Sequence, residues 1–569
     1  MEEGIEKRKS KISKFLFGWV KDNYDRIFLA ILLAAFALRL YIFFQTMHQP
    51  LWWDEADYLS AGKRWGLSLD IRDIWYYRRG FLFPLISALF FKTGLGETGI
   101  RFLEVLFSTG IVAVSYALIS KMFSKKLALL TSIALSASWI ILFFTGRILT
   151  DIPAAFFLLL ALLLFWKGYV LKEGNKFLYL FGFIFVCAVM TRMQSLMLAP
   201  PFLIYIFIKE KFKMFKNKQL WITLGIFLLL LVPYLIIYST HYGNPIADLA
   251  SHYLGIGSSA HPVSSGNVRT FSMATFNYFK DLPYMVTTPI LILLIIGAIY
   301  FLNDLIIGLD KVRKDEILSN KLFVVLWILS LFLIMGYIGS VSYVEQRYVT
   351  AALPFLFMIA VSPLILFEKI ISKYLKINKR LIFVGLFVIL IAMMIPNFTL
   401  TKNLTENKLY SYYSIEQAGK LIKADSNSTD IIMSTSLPQI TYYSERSVYP
   451  YEVHEDGINK GDNSLLKYSE GEKGFEEFLT DKKPKYLMTS SIFEDYPTWI
   501  LTQGQKEGYN FIVMPFFNSS IVYDAKTNQM VSLDLKGEIK KENMTLTLFF
   551  PKSVDEINGV FIYKVEYNN

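Results

Sequence analysis

The sequence predicts a polytopic α-helical membrane protein with a C-terminal α/β domain. Three observations lead there. Apolar runs of membrane-crossing length, about 20 residues, recur through the first two thirds of a 569-residue chain that is 54% hydrophobic and 16% aromatic. The lysines between those runs gather in alternate connections along the chain. From about Leu404 the texture changes to polar, mixed-charge sequence.

The N-terminal segment, residues 1–26, is polar and Lys-rich. The apolar run behind it is too long for a signal peptide and lacks a small-residue cleavage site, so a retained first span is expected. Candidate spans fall near 27–46, 99–120, 126–145, 148–167, 176–191, 193–208, 219–239, 285–303, 321–340, 348–367 and 381–397, about eleven in all. With a cytoplasmic N-terminus, the connections Lys121–Lys126, Lys167–Lys176, Lys209–Lys218, Asp304–Lys321 and Glu368–Arg380 all lie inside. Every one carries lysine, as the positive-inside rule requires. The net charge of +11 is therefore a signature of membrane orientation and not of a nucleic-acid partner. The single cysteine, Cys187, lies in an apolar run and excludes a disulfide framework.

The opposite face then receives external loops 47–98 and 240–284 and everything after Pro396. The triplets at Asn397, Asn403, Asn427, Asn518 and Asn543 fit an outward-facing tail. Phe81–Phe91 is apolar but too short to cross, and is expected to form an interfacial or re-entrant helix. This divides the chain into a cytoplasmic segment 1–26, a membrane domain 27–400 and an extracytoplasmic domain 401–569. In the last, helix-like Ser414–Ile422 and Gly474–Leu479 alternate with strand-like Ile431–Met433, Lys485–Met488, Phe511–Met514 and Val560–Tyr563, which predicts an α/β domain.

Ionisable residues gather on the external side. Trp52-Trp53-Asp54-Glu55-Ala56-Asp57-Tyr58 follows the first span, with Arg78 and Arg79 behind it. Arg147 and Asp151 are four apart and are expected to share a helical face. A structural ion pair and a ligand contact are equally open for them. Arg101, Glu104 and Arg192 read as anchors of span ends. Glu345 and Arg347 enter the tenth span, flanked by Tyr343 and Tyr348. Arginine forks bind phosphate oxygens bidentately, whereas Asp54 and Glu55 suit removal of a proton from a hydroxyl. The combination points to an anionic lipid held beside a base. Snorkelling to head groups is the alternative for Arg78 and Arg79. His252 and His261 are weak candidates for a divalent metal site, because no third ligand is fixed.

The order Trp53-Asp54-Glu55-Ala56-Asp57-Tyr58, Arg78-Arg79-Gly80-Phe81-Leu82-Phe83-Pro84, Arg147-Ile148-Leu149-Thr150-Asp151 and Glu345-Gln346-Arg347-Tyr348 before Leu353-Pro354 resembles the GT-C glycosyltransferases. Within them it is most similar to the protein O-mannosyltransferase and aminoarabinose-transferase-like group. The resemblance covers roughly residues 27–400, and the tail is similar to those of prokaryotic members. It implies a GT-C fold, a polyprenyl-phosphate-sugar donor such as dolichyl phosphate mannose, and an outward-facing site in the plasma membrane. The acceptor would be a glycan, lipid or protein hydroxyl, and the anomeric carbon would be inverted. It implies Asp54 as catalytic base, with Glu55 a supporting residue or alternative base. Arg78, Arg79 and Arg347 would meet the lipid phosphate, and Asp57, Arg147, Asp151, Glu345, Tyr343 and Tyr348 would support the site. Two departures stand out: Asp54 and Asp57 are not a DxD pair, and Trp52-Trp53-Asp54 continues as Glu-Ala, not as the Tyr-Gly of oligosaccharyltransferases. The rival class is a transporter or flippase for an anionic polyprenyl lipid, for which discontinuous helices and midplane binding would be expected.

Overall fold

The computed structural model describes residues 22–254, 271–339, 345–374, 378–450 and 471–490, together with 511–512, 521–524, 529–532, 538–541, 544–550 and 560–567. Among the described residues, eight helices are long and apolar enough to cross a membrane: Asn23–Thr46, Gly96–Met122, Asp151–Val170, Lys218–His241, Thr288–Ile307, Glu316–Ile338, Gln346–Tyr374 and a last one beginning at Lys379. A ninth is a broken pair, Lys125–Ser136 and Trp139–Thr145, bent by 53°. The predicted runs 176–191 and 193–208 fall on shorter elements. The first is the helix Asn175–Thr191; the second is a 3-10 segment, Met193–Leu198, followed by Ala199–Glu210. Pro200 and Pro201 at the start of that last helix supply no N–H to continue the ladder from before it. The short apolar run is the helix Leu82–Lys92.

Side-chain caps define several helix starts. Asp22 accepts from the Asp25 N–H at the first span, and Asp315 from Leu318 N–H at Glu316–Ile338. The break at Ser136–Trp139 frees a backbone N–H inside the bundle, and Asn397 meets it: Trp139 N–H donates to Asn397 Oδ1 at 3.2 Å, while Asn397 Nδ2 donates to Thr287 Oγ1 at 3.0 Å. Asn397 is fully buried. Its triplet is therefore part of the membrane bundle's packing and is not open to a glycan, unlike the expectation for an external tail.

In the C-terminal region, a six-stranded sheet runs in the order Ser447–Tyr449, Ile431–Ser434, Tyr486–Ser490, Val560–Tyr567, Met544–Phe550, Glu538–Lys541. The first three strands are parallel, the rest antiparallel. Helices Tyr413–Asp425 and Leu437–Ser444 cover one face through Ile415, Ala418, Ile422 and Ile440 packed on Ile432, Val448 and Met488. Phe478 of the helix Gly471–Lys482 meets the Tyr449 ring at 5.3 Å. This region docks on the helix Trp53–Leu67, where Ser60 Oγ donates to the Pro438 carbonyl at 3.1 Å and Lys63 pairs with Glu445 at 2.6 Å. Tyr442 OH also donates to Glu97 at 2.7 Å.

Candidate active site

Four helix ends meet at one end of the bundle. The helix Trp53–Leu67 starts a few residues beyond the first span and carries Asp54 and Asp57; Asp151 opens Asp151–Phe165; Arg192 ends Asn175–Thr191; Arg347 lies in the turn opening the span that continues through Leu353–Tyr374. Their side chains form a chain of alternating charge. Arg79 reaches Asp54 Oδ1 at 2.9 Å and Asp57 Oδ2 at 3.0 Å. Arg347 Nη2 donates to Asp54 Oδ2 at 3.2 Å. Arg192 lies 2.9 Å from Asp151 Oδ1, and Arg347 Nε lies 3.9 Å from Asp151 and 3.4 Å from Glu345. The Tyr348 ring lies against both guanidiniums, 4.4 Å from Arg192 and 5.3 Å from Arg347.

Arg347 is nearly buried, yet its Nε and Nη1 donate no hydrogen bond. Buried guanidinium N–H groups without acceptors are costly, so the cluster has donor capacity in reserve. It opens on a small cleft. Asp151, Arg192, Gln194, Ser195, Arg347, Tyr348 and Thr350 line it together with Ala155, Leu158, Leu198, Leu331 and Met335. The lining brings two guanidiniums together with apolar side chains.

Burial would raise the Asp54 carboxyl, but the guanidiniums of Arg79 and Arg347 outweigh it and hold the group below the usual carboxylate range. Asp57 goes the other way. Burial dominates over Arg79, and the neighbouring Asp54 adds to it, so Asp57 is pushed up to about 6. Asp57 therefore favours a proton more in the folded chain than in the unfolded one, where the value is near 3.8. The stability this group contributes is complete below 3.8 and is lost as the pH rises through about 6. The difference in thermal stability between wild type and Asp57→Asn, measured in detergent, is expected to change across that window. Parallel curves would refute the assignment.

Other predicted residues lie elsewhere. Arg78 turns away from Asp54 and forms a bidentate pair with Asp248 at 2.7 and 2.9 Å. The adjacent Arg79 diverges because its N–H donates to the Tyr76 carbonyl at 2.9 Å, closing a turn between them. Arg147 does not share a face with Asp151, because the helix begins only at Asp151. Instead Arg147 lies 3.6 Å from Glu55 and 4.0 Å from the Trp52 ring centre. Glu55 is 0% exposed and does not join the Asp54 cluster. Its oxygens accept from Trp52 N–H at 2.6 Å and Ile148 N–H at 2.9 Å, stitching the loop to the bundle. Arg192, expected only as a span anchor, belongs to the cluster. Tyr343 and His261 lie outside the described residues, as does the side chain of His252 on the helix Pro245–Leu254. Among the described residues, no group of three or more His, Cys, Asp or Glu is placed to hold a metal ion.

Gly80 sets the position of the Arg79 turn. A Cβ there would lie 2.1 Å from the Met190 carbonyl oxygen, so backbone would have to move. Gly80→Ala is expected to cost about 1–3 kcal/mol of stability, seen as a lowered thermal midpoint, and to lower activity through displacement of Arg79.

The bundle, its broken span and the helix laid across its end define a GT-C membrane fold. The sequence model of the dolichyl-phosphate-mannose-protein mannosyltransferases matches residues 78–237. The fold is similar to that of ArnT from Cupriavidus metallidurans, solved in the apo state and bound to undecaprenyl phosphate. In each case the TM-score is 0.59 at 14% identity, over 88% of this chain and 96% of the other. It is also similar to the Archaeoglobus fulgidus oligosaccharyltransferase tethered to an acceptor peptide, with TM-score 0.54 at 12% identity, over 83% of this chain and 70% of the other. No curated protein matches the chain in sequence. These matches bear out the resemblance to GT-C glycosyltransferases that the motif order carries.

Proposed function

We propose that this chain transfers a single sugar from a polyprenyl-phosphate-linked donor to a hydroxyl acceptor on a glycan, lipid or protein. The carrying observation is the cluster of Arg79, Arg192 and Arg347 around Asp54 and Asp151, beside a cleft that also has apolar lining. A phosphate with a prenyl tail likewise joins an anionic head to an apolar chain. The similar ArnT structure, bound to undecaprenyl phosphate, supports this reading.

In the proposed step, Asp54 takes the proton of the acceptor hydroxyl as its oxygen attacks the anomeric carbon. The bond from that carbon to the phosphate oxygen breaks with inversion, and the prenyl phosphate leaves with the electron pair. Arg347 and Arg192 stabilise the charge that develops there. Both oxygens of Asp54 are occupied by Arg79 and Arg347, which lowers its basicity. An incoming phosphate competes for Arg347 and releases Asp54, so base strength rises when the donor is in place. Glu55 and Arg147 act as positioning residues.

The lysine-rich connection at Lys125 lies with Asp22 and Asp25 at the other end of the first span, which supports an extracytoplasmic site in a prokaryotic plasma membrane. The test is transfer from a panel of synthetic polyprenyl-phosphate sugars, followed by mass spectrometry. Translocation of a labelled lipid with no transfer from any donor would favour the transporter.

A further inference from the structure

The C-terminal sheet contains a second feature that the transfer reaction does not use. Its parallel strands are ordered Ser447–Tyr449, Ile431–Ser434, Tyr486–Ser490. The chain leaves Ile431–Ser434 through the helix Leu437–Ser444 toward one neighbour, and returns through Gly471–Lys482 to the other. The strand order therefore reverses at Ile431–Ser434, and the carboxyl ends of this strand and of Tyr486–Ser490 flank a topological switch point. In open α/β sheets a crevice forms there and binds ligands.

The residues at that point are polar and unusually short of partners. Ser434 pairs in register with Met488, so Thr435 and Ser436 continue past one strand where Thr489 and Ser490 end the other. Ser436, Gln439, Thr489 and Ser490 are all at most 1% exposed. Yet the hydroxyls of Ser436, Thr489 and Ser490 and both amide atoms of Gln439 lack a hydrogen-bond partner. Ser436 occupies the N-cap of Leu437–Ser444, but its side chain caps nothing. A native fold rarely strands so many buried polar atoms together.

We infer that this switch point binds a phosphoryl group. Hydroxyls, a carboxamide and the start of an eight-residue helix, whose second residue Pro438 withholds one N–H, supply neutral donors for an anion. The nearby carboxylates are placed so as not to oppose it: the Asp425 carboxylate accepts from Tyr486 OH at the opening of its strand, Asp430 precedes Ile431, and Glu445 follows the far end of the helix. The donors also abut the catalytic helix, since Pro438 accepts from Ser60, six residues after Asp54. A phosphorylated ligand bound here would therefore lie behind the proposed base, separate from the cleft at Arg347.

The test uses the full chain in detergent with inorganic phosphate as first probe and a soluble sugar phosphate and a short-chain prenyl phosphate as second and third. Thermal shift and equilibrium binding are followed in wild type, Ser436→Ala, Ser490→Ala, Gln439→Leu and Arg347→Ala. Wild type should bind phosphate saturably, and Arg347→Ala should retain one such site. Ser436→Ala and Ser490→Ala should weaken that site at least about tenfold and raise the thermal midpoint without ligand, because each removes a stranded hydroxyl. Preference for the sugar phosphate or the prenyl phosphate identifies the source of the phosphoryl group. No saturable binding, or binding lost in Arg347→Ala and unchanged in the serine variants, overturns the inference. A fall in midpoint for both serine variants, with phosphate affinity unchanged, overturns it as well. Because binding is read without turnover, these outcomes are independent of whether sugar transfer occurs.

Discussion

Asp54→Asn is expected to lower turnover by about 10²–10⁴-fold, the span typical of a general base, while donor affinity is maintained or tightened. The second half of that outcome follows from the geometry. Asp54 occupies Arg79 at 2.9 Å and Arg347 at 3.2 Å, where it competes with an incoming phosphate for the same donors. Asparagine keeps the shape and one acceptor oxygen but loses the charge, so both guanidiniums are freer to meet the lipid. A residue that merely held the fold together would show lower stability and weaker donor binding. Single-turnover transfer, donor binding and thermal midpoint, measured together on purified protein, separate the two. Transfer within about tenfold of wild type would remove Asp54 from the role of base.

The bundle was largely legible because apolar length and lysine placement are local properties. All eleven predicted runs coincide with helical elements, although two lie on helices too short to cross and one on the broken pair. What sequence could not show was where a helix begins and which way a turn throws its side chains. The four-residue spacing of Arg147 and Asp151 implied a shared face only if both were helical, and the helix starts at the second of them. Arg78 and Arg79 are chemically identical neighbours, and only the closed turn at Tyr76 sends one to Asp248 and the other to Asp54. Arg192 carried a readable signal, an arginine at the end of an apolar run on the same side as Asp151. Its 2.9 Å approach to that acid is a tertiary fact. The Thr435-Ser436 and Thr489-Ser490 pairs are unremarkable as sequence, and acquire meaning only from the order of the strands.

Arg347→Ala should produce the complementary failure. It removes the group that, among the described residues, alone contacts Asp54, approaches Asp151 and Glu345, and lines the cleft. Loss of a charged hydrogen bond of about 1.5–3 kcal/mol corresponds to roughly 10- to 100-fold weaker donor binding. A further loss of turnover is expected because the leaving phosphate gains charge as the bond breaks. KM and kcat should therefore both worsen, in contrast to Asp54→Asn, where kcat alone collapses. Arg347→Lys tests the geometry of the contact. A lysine ammonium restores the charge but not the planar fork, so it should rescue donor binding only in part if two phosphate oxygens are held at once. Full rescue would mean that Arg347 supplies charge alone. Unchanged donor affinity in Arg347→Ala would place the lipid phosphate away from Arg347 and transfer its recognition to Arg79 or Arg192.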